Sequence, residues 1–306
     1  MYDLPSDPDP DAALTARSAL DPLRQVSAGV VRWSGGASAP AWDELAVEEP
    51  LELRLPDAPD GTPGASIAAI MRTPGHDGEL AAGFLFGEGL IRDTSELAGF
   101  APGSDTDGLP DANALVVRPA PGVDLARRLR EAGYSRQFAV NASCGVCGKN
   151  SVAAACAALP PLPDGALRLD PAILYTLPDR LRAEQRVFAH TGGLHAAGLF
   201  DAAGTLLALR EDVGRHNAVD KLVGRALLDG ALPLAGRVLL VSGRLSFEIV
   251  LKALAAGIPL VAAVSAPSSL AVDLAQTGNI TLAGFLRGPG VNVYTHPWRI
   301  ESRTRP

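Results

Sequence analysis

Short, unbroken apolar runs punctuated by glycine and proline dominate the last third of the chain. Val238-Leu239-Leu240-Val241 and Leu260-Val261-Ala262-Ala263-Val264 carry no polar alternation, as strands buried on both faces do not. Between them, Ser246 stands where a helix cap belongs, and Phe247, Val250, Leu251 and Leu254 fall on one side of the helix it opens. Gly257 stops that helix and Pro259 follows. Ser268 or Ser269 opens another helix, closed by Gly278. Ile280–Leu286 and Val291–Tyr294 supply a third and a fourth strand. Continuous apolar strands alternating with helices predict a sheet covered on both faces, largely parallel in pairing.

Upstream the pattern is more varied. Val30–Trp33 and Leu51–Leu55 alternate like half-buried strands, and Ala65–Met71 is a further apolar strand. Thr73-Pro74-Gly75 turns the chain into a helix capped by Asp77, running to about Glu88 with Leu80, Phe84 and Leu85 inward and Gly89 as its stop. Ala114–Val117 predicts a strand and Asp124–Ala132 a helix. Gln137–Val140 leads into a glycine-flanked loop, with a short helix from about Ser151. A helix over Pro171–Gln185 is followed by a hairpin, Leu194–Phe200 and Thr205–Leu209, around Asp201–Gly204. Asn217 then caps a helix whose Val219, Leu222, Val223, Ala226 and Leu227 share one face. No repeat of 20–50 residues is present. The turn chemistry of Pro160–Gly165 marks the best internal boundary. Three parts follow: an acidic disordered leader over 1–27, an α+β domain over 28–160, and an α/β domain over 161–306.

Composition narrows the class. The chain has 306 residues, 47% of them hydrophobic, enough for a large core, and only three cysteines. A disulfide-stapled secreted fold is thereby excluded, and a reducing cytoplasm is the expected compartment. The N-terminus has neither the basic nor the apolar region of a signal peptide, and no apolar stretch reaches the roughly 18–20 residues of a membrane span. Residues 1–60 hold 12 acids and 4 arginines, leaving a body of nearly balanced charge, which argues against a duplex nucleic-acid binder. Lysine occurs only at 149, 221 and 252.

The most reactive feature is Ser143-Cys144-Gly145-Val146-Cys147-Gly148-Lys149. Two thiols three positions apart, between a strand and a helix N-terminus, favour a thiolate. Half of a zinc site is the alternative, but no second C-x-x-C exists. The deaminase pattern pairing H-x-E with P-C-x-x-C is also missing. A thioredoxin-like role lacks the flanking tryptophan and proline. Cys156 reads as a small core residue. Three further segments should gather at the carboxyl ends of the strands, where open α/β sheets bind ligands: Ser242-Gly243-Arg244, Ser265–Ser269 and Arg287-Gly288-Pro289-Gly290. Their hydroxyls, helix N-termini and arginines suit a phosphorylated ligand. Neither a P-loop nor a strand-associated G-x-G-x-x-G is present. Glu211-Asp212-Val213-Gly214-Arg215-His216-Asn217 and Thr191-Gly192-Gly193-Leu194-His195 have two readings each. In one, Asn217 is a cap, Asp212 pairs with Arg215, and both histidines are structural. In the other, they line a site.

As an ordered set these motifs resemble the FdhD/NarQ family, together with Met71–Gly75, Gly83–Gly89, Ala218–Lys221, Ala262–Pro267 and Asn292–Thr295. The resemblance runs from about residue 28 to residue 300. It implies a homodimeric sulfur carrier, a sulfurtransferase that matures formate dehydrogenase. A cysteine desulfurase would load sulfane sulfur onto Cys144 as a persulfide, with Cys147 as its partner thiol. The sulfur would pass to the molybdenum of bis(molybdopterin guanine dinucleotide), bound as substrate, with GDP as an analogue. It also implies that the second half is cytidine-deaminase-like without zinc chemistry. The family's cofactor stretch maps onto Phe285-Leu286-Arg287-Gly288-Pro289-Gly290, beside Ser242, Gly243, Arg244 and Ser265. A chaperone that delivers the cofactor without sulfur chemistry is the alternative.

Overall fold

A computed structural model describes residues 23–60, 62–104, 107–132, 139–140 and 159–302. In chain order the elements are β1 (Gln25–Ser34), β2 (Ala37–Ala46), β3 (Glu49–Arg54), β4 (Ser66–Arg72), α1 (Asp77–Gly87), β5 (Leu97–Ser104), β6 (Pro110–Pro119), α2 (Leu125–Glu131) and β7 (Ala139–Val140). Then come α3 (Pro171–Leu174), α4 (Leu177–Glu184), α5 (Arg186–Thr191), β8 (His195–Phe200), β9 (Leu206–Asp212), α6 (Arg215–Leu228) and β10 (Val238–Val241). The chain continues through α7 (Phe247–Ala255), β11 (Leu260–Ala263), α8 (Ser269–Thr277), β12 (Thr281–Arg287) and β13 (Gly290–Thr295). No helix among the described residues is long and apolar enough to cross a membrane.

The class is mixed α/β. Six strands form one sheet in the order β13-β12-β11-β10-β8-β9. Parallel pairing is confined to β10, β11 and β12, which are joined by the crossover helices α7 and α8. The hairpins β8–β9 and β12–β13 make both margins antiparallel, because a short turn can only reverse the chain. Both faces are covered. Leu239, Val241, Val261, Ala263 and Leu282 pack in one core with residues of α6, α7 and α8. Val238, Leu240, Leu260, Ala262 and Ala283 pack in another with Leu174, Leu177 and Leu181. Strand periodicity of two divides the same apolar runs between the two faces.

A second sheet, β5-β6-β3-β4-β7, packs on α1 and α2, and Leu227 of α6 joins its core. β1 and β2 form a separate two-stranded ribbon that leaves Trp33 exposed. That ribbon begins at Gln25, inside the stretch expected to be leader.

Two helix expectations change. Pro171–Gln185 is broken into α3 and α4, with α5 starting at Arg186. Pro178 lacks an N–H and its ring clashes with the carbonyl four residues back, at Leu174, where α3 ends. Asp77 does not cap α1. His76 occupies the cap in a left-handed conformation (φ 60°), and the Asp77 carboxylate instead accepts from Arg72 Nε at 3.1 Å.

The two halves meet where α1 crosses α6 at backbone contact. A Cβ on Gly83 would lie 1.9 Å from the Asp220 carbonyl oxygen, and one on Gly224 only 1.8 Å from that of Glu79, so only glycine fits at either position. Beside the crossing, the Asp220 carboxylate lies 2.6 Å from Lys252 Nζ, and burial pushes Asp220 up to about 6 against the pull of that ammonium. Glu79 of α1 accepts from Arg210 of β9 at 2.7 Å. Burial opposes the Glu79 charge, yet the Arg210 hydrogen bonds and His76 bring its carboxyl from the usual 4.5 down to about 2.

A depressed carboxylate pKa stabilises the fold above its unfolded value, and that stability is lost as pH falls through the folded value. Glu79→Gln is therefore expected to cost about 1–3 kcal/mol at neutral pH. Urea unfolding at decreasing pH should show the gap to wild type closing as pH drops from 4.5 towards 2. A gap that stays constant would mean that the Glu79 charge is not what holds the halves.

Candidate functional site

One edge of the large sheet collects the carboxyl ends of β9, β10, β11 and β12 and the amino ends of α6, α7 and α8. It is organised from beneath by a buried ion pair. Asp212, the last residue of β9, lies 2.7 Å from Lys221 Nζ, and both side chains are completely buried. Asp212 Oδ1 also accepts from Gly214 N (2.8 Å) and Asn217 Nδ2 (2.9 Å), and Oδ2 accepts from Thr73 N (3.2 Å). Lys221 donates to the Thr73 carbonyl at 2.7 Å, and Asn217 Nδ2 donates to that of Met71 at 2.7 Å. Burial lowers the Lys221 pKa, while the adjoining Asp212 carboxylate raises it. The carboxylate is thus saturated, and β4 and the turn after it are locked to the start of α6.

This differs from the structural one of the two readings that the sequence left open. Asp212 takes Lys221 rather than Arg215, Gly214 is the residue at the helix cap, and Asn217 points inward from the first turn. Arg215 is consequently released towards the edge. Its Nε is buried without a hydrogen-bond partner, and its Cδ comes within 3.7 Å of where a Cβ on Gly243 would sit. The same point is 3.3 Å from His195 Nδ1. His195 begins β8 and is half-buried. Its pKa is held below the ordinary value by burial first, then by Arg215, against the pull of Asp212, with Arg244 adding to the depression. His216 is buried, with Nε2 2.9 Å from Ser246 Oγ and 3.7 Å from Glu248. Ser246 holds the cap position of α7 but makes no capping bond through its side chain.

The three segments expected at the strand ends do adjoin one another. Ser242 extends the ladder to β8, its Oγ accepting from Ala196 N at 2.8 Å. Leu245 bridges to Pro267, donating to the Ala266 carbonyl and accepting from Ser268 N. Ser265 accepts from Phe285 N at 3.1 Å, and Arg287 Nε donates to the Val264 carbonyl at 3.1 Å. Arg244 is exposed, and Ser242, Gly243 and Ser265 are half-buried. Phe285 adopts φ 54° with 43% of its surface exposed. Leu286 does not face this edge. It is fully buried in the core shared with Leu240 and Ala262. Gly288 and Pro289 are the two loop residues of the β12–β13 hairpin, paired through Arg287 and Gly290. Gly288 takes the positive φ at the first loop position. Cys144, Cys147, Lys149 and Cys156 lie outside the described residues.

For His195, Arg215 and His216 the sequence left a structural and a site reading open. Each belongs to a dense polar motif next to glycines, but the meeting of His195 and Arg215 with Gly243 depends on antiparallel β8–β10 pairing that the apolar pattern alone does not specify.

Removing one partner of a buried pair strands the other charge. Lys221→Met is expected to destabilise the protein by roughly 3–5 kcal/mol, and Lys221→Met with Asp212→Asn by less than the single change. Urea unfolding of both variants checks this. Equal losses would show that the stranded carboxylate is not the cause.

Residues 46–301 match the family model described as the FdhD/NarQ family. The sulfur carrier protein FdhD of Streptomyces avermitilis is 52% identical over 278 residues, covering 90% of this chain and 95% of that protein. The sulfur carrier protein FdhD of Mycobacterium tuberculosis is 48% identical over 268 residues, covering 84% and 92%. The crystal structure of a candidate formate dehydrogenase accessory protein from Desulfotalea psychrophila superposes with a TM-score of 0.66 at 25% identity, over 91% of this chain and all of the other. On the extent of that match, from Ala46 to Glu301, the chain belongs to the FdhD/NarQ family.

Proposed function

We propose that this protein is a cytoplasmic sulfur carrier for formate dehydrogenase. It accepts sulfane sulfur on Cys144 from a cysteine desulfurase and passes it to the molybdenum of a bis(molybdopterin guanine dinucleotide) substrate. The observation that carries this reading is 52% identity, over 90% of the chain, to a protein called a sulfur carrier, in a sequence that places two of its three cysteines as C-x-x-C. The cation-bearing edge of the sheet supports the second part, because a cofactor rich in phosphate needs arginines and free N–H groups.

The chemistry follows from thiol–disulfide exchange. The Cys144 thiolate attacks the outer sulfur of the desulfurase persulfide, forming Cys144–S–SH and releasing the desulfurase thiolate. Attack of the Cys147 thiolate on the inner sulfur then expels hydrosulfide and leaves a Cys144–Cys147 disulfide. The two thiols lose the two electrons that reduce sulfane sulfur to sulfide. Lys149 and the helix N-terminus expected after the loop favour the thiolate form of Cys144.

Arg287 has already committed Nε to the Val264 carbonyl, which fixes its guanidinium and leaves the terminal nitrogens for a ligand. The exposed ring of Phe285 next to it offers a face on which a guanine can stack. The family's homodimer, with each subunit contributing one such edge, belongs to the same reading.

Two results are expected. Wild-type protein incubated with a desulfurase and cysteine should gain about 32 Da, one sulfur atom, on the peptide containing Cys144. Cys144→Ala should gain none and should leave the dehydrogenase inactive in cells lacking the wild-type protein. Normal activity with that variant would favour delivery of the cofactor without sulfur chemistry. Arg287→Ala should weaken GDP binding about tenfold by calorimetry, with persulfide loading intact. Unchanged GDP affinity would remove Arg287 from the site.

A further inference from the structure

Among the described residues β9 ends the large sheet and pairs only with β8, so its outer side carries no ladder. Side chains meet the carbonyls on that side: Leu209 O accepts from Arg210 Nη1 at 2.7 Å and Glu211 O from Arg24 Nη2 at 3.1 Å. The N–H groups of Leu209 and Glu211 point the same way, because both backbone groups of a strand residue lie on one side. Sheet edges are commonly blunted by lysine, proline or a covering element, whereas this one leaves Leu207 45% exposed. A groove of about 580 Å³ runs along it from Leu206 to Glu211, and Arg24, Arg186, Arg225 and Glu184 contribute to its walls. Arg186 makes no ion pair among the described residues, and the Arg24 Nε is buried without a partner. Arg225 lies 3.4 Å from Asp229 in an exposed pair. The Glu211 carboxylate is taken by Val187 N and Phe188 N, which leaves Glu184 as the opposing acid in the groove.

A free strand edge flanked by guanidiniums suits an extended acidic segment, and this chain carries one that joins it at the groove. Arg24 lines the groove, and residues 1–22, immediately before Leu23, lie outside the described residues. They hold Asp3, Asp7, Asp9, Asp11 and Asp21 against one base, Arg17. Pro5, Pro8, Pro10 and Pro22 have no N–H to donate, but Asp11–Asp21 contains no proline and keeps every donor. We propose that Asp11–Asp21 adds to the outer side of β9 as a seventh strand of the large sheet, with its aspartates towards Arg24 and Arg186. At roughly 3.3 Å per residue the stretch is long enough to follow all seven residues of β9. Main-chain hydrogen bonds hold it there, and charge selects it. Its attachment three residues before Arg24 gives it a high effective concentration at the groove compared with any free peptide. The inference stands apart from sulfur transfer, and its test involves no thiol.

Hydrogen exchange of the full-length protein, read residue by residue by mass spectrometry, decides the matter. The double variant Thr15→Pro with Ala16→Pro is the main comparison. Successive strand residues point to opposite sides, so one of the two prolines removes an N–H facing β9 in any register. The Leu209 and Glu211 amides should exchange at least about tenfold slower in wild type than in this variant. Arg186 is exposed, so Arg186→Glu leaves the core untouched, and it should speed exchange at the same two amides about threefold. The proposal is overturned if Leu209 and Glu211 exchange at the same rate in wild type and in the proline variant, whether both are protected or neither is. Unchanged exchange in Arg186→Glu also overturns it, since charge is what selects this segment. So does protection that falls when wild type is diluted, which would put a second copy of the chain against β9.

Discussion

Asp212 and Lys221 form an ion pair with no exposed surface, and the arrangement of the functional edge depends on it. Burying two charges is costly unless every lone pair and proton finds a partner. Here the partners come from three places: the turn after β4, the start of α6 and the end of β9. Satisfying one carboxylate therefore fixes the relative position of elements from both halves of the chain. The glycine crossing of α1 and α6 and the Glu79–Arg210 clamp close the same joint from the side. Of the three lysines in the chain, Lys221 and Lys252 serve this joint.

The pair has a consequence for chemistry. Because Asp212 is saturated by Lys221 and backbone groups, it does not neutralise Arg215, which is left facing Gly243 and His195. Arg215 instead acts on His195 and Glu248 at the strand ends. The core supplies rigidity and the edge supplies charge, a combination that suits a polyanionic ligand.

The large sheet was legible in the sequence because its central strands are buried on both faces and so write unbroken apolar runs. The inward face of α6, Val219 to Leu227, was legible for the same reason at helical spacing. Pairing direction at the margins was not, since hairpins and crossovers leave similar apolar signatures. The role of Asp212 was also hidden. Arg215 is three residues away and looked like its partner, whereas Thr73 and Met71 are distant in sequence and contribute backbone groups, which carry no residue-specific signal. Leu286 lies between Phe285 and Arg287 in sequence, but the irregularity after Gly284, where Phe285 takes φ 54°, returns it to the core that holds Ala283. The strand-end segments were legible because glycine, serine and arginine recur after each apolar run.

The central claim is that sulfur travels through this protein to the dehydrogenase cofactor. Radiolabelled cysteine, a desulfurase, this protein and an apo-dehydrogenase loaded with unsulfurated cofactor provide the most direct measurement. The account predicts label first on Cys144 and then in the dehydrogenase cofactor, rising together with formate oxidation. Activity that appears while the cofactor stays unlabelled would contradict it.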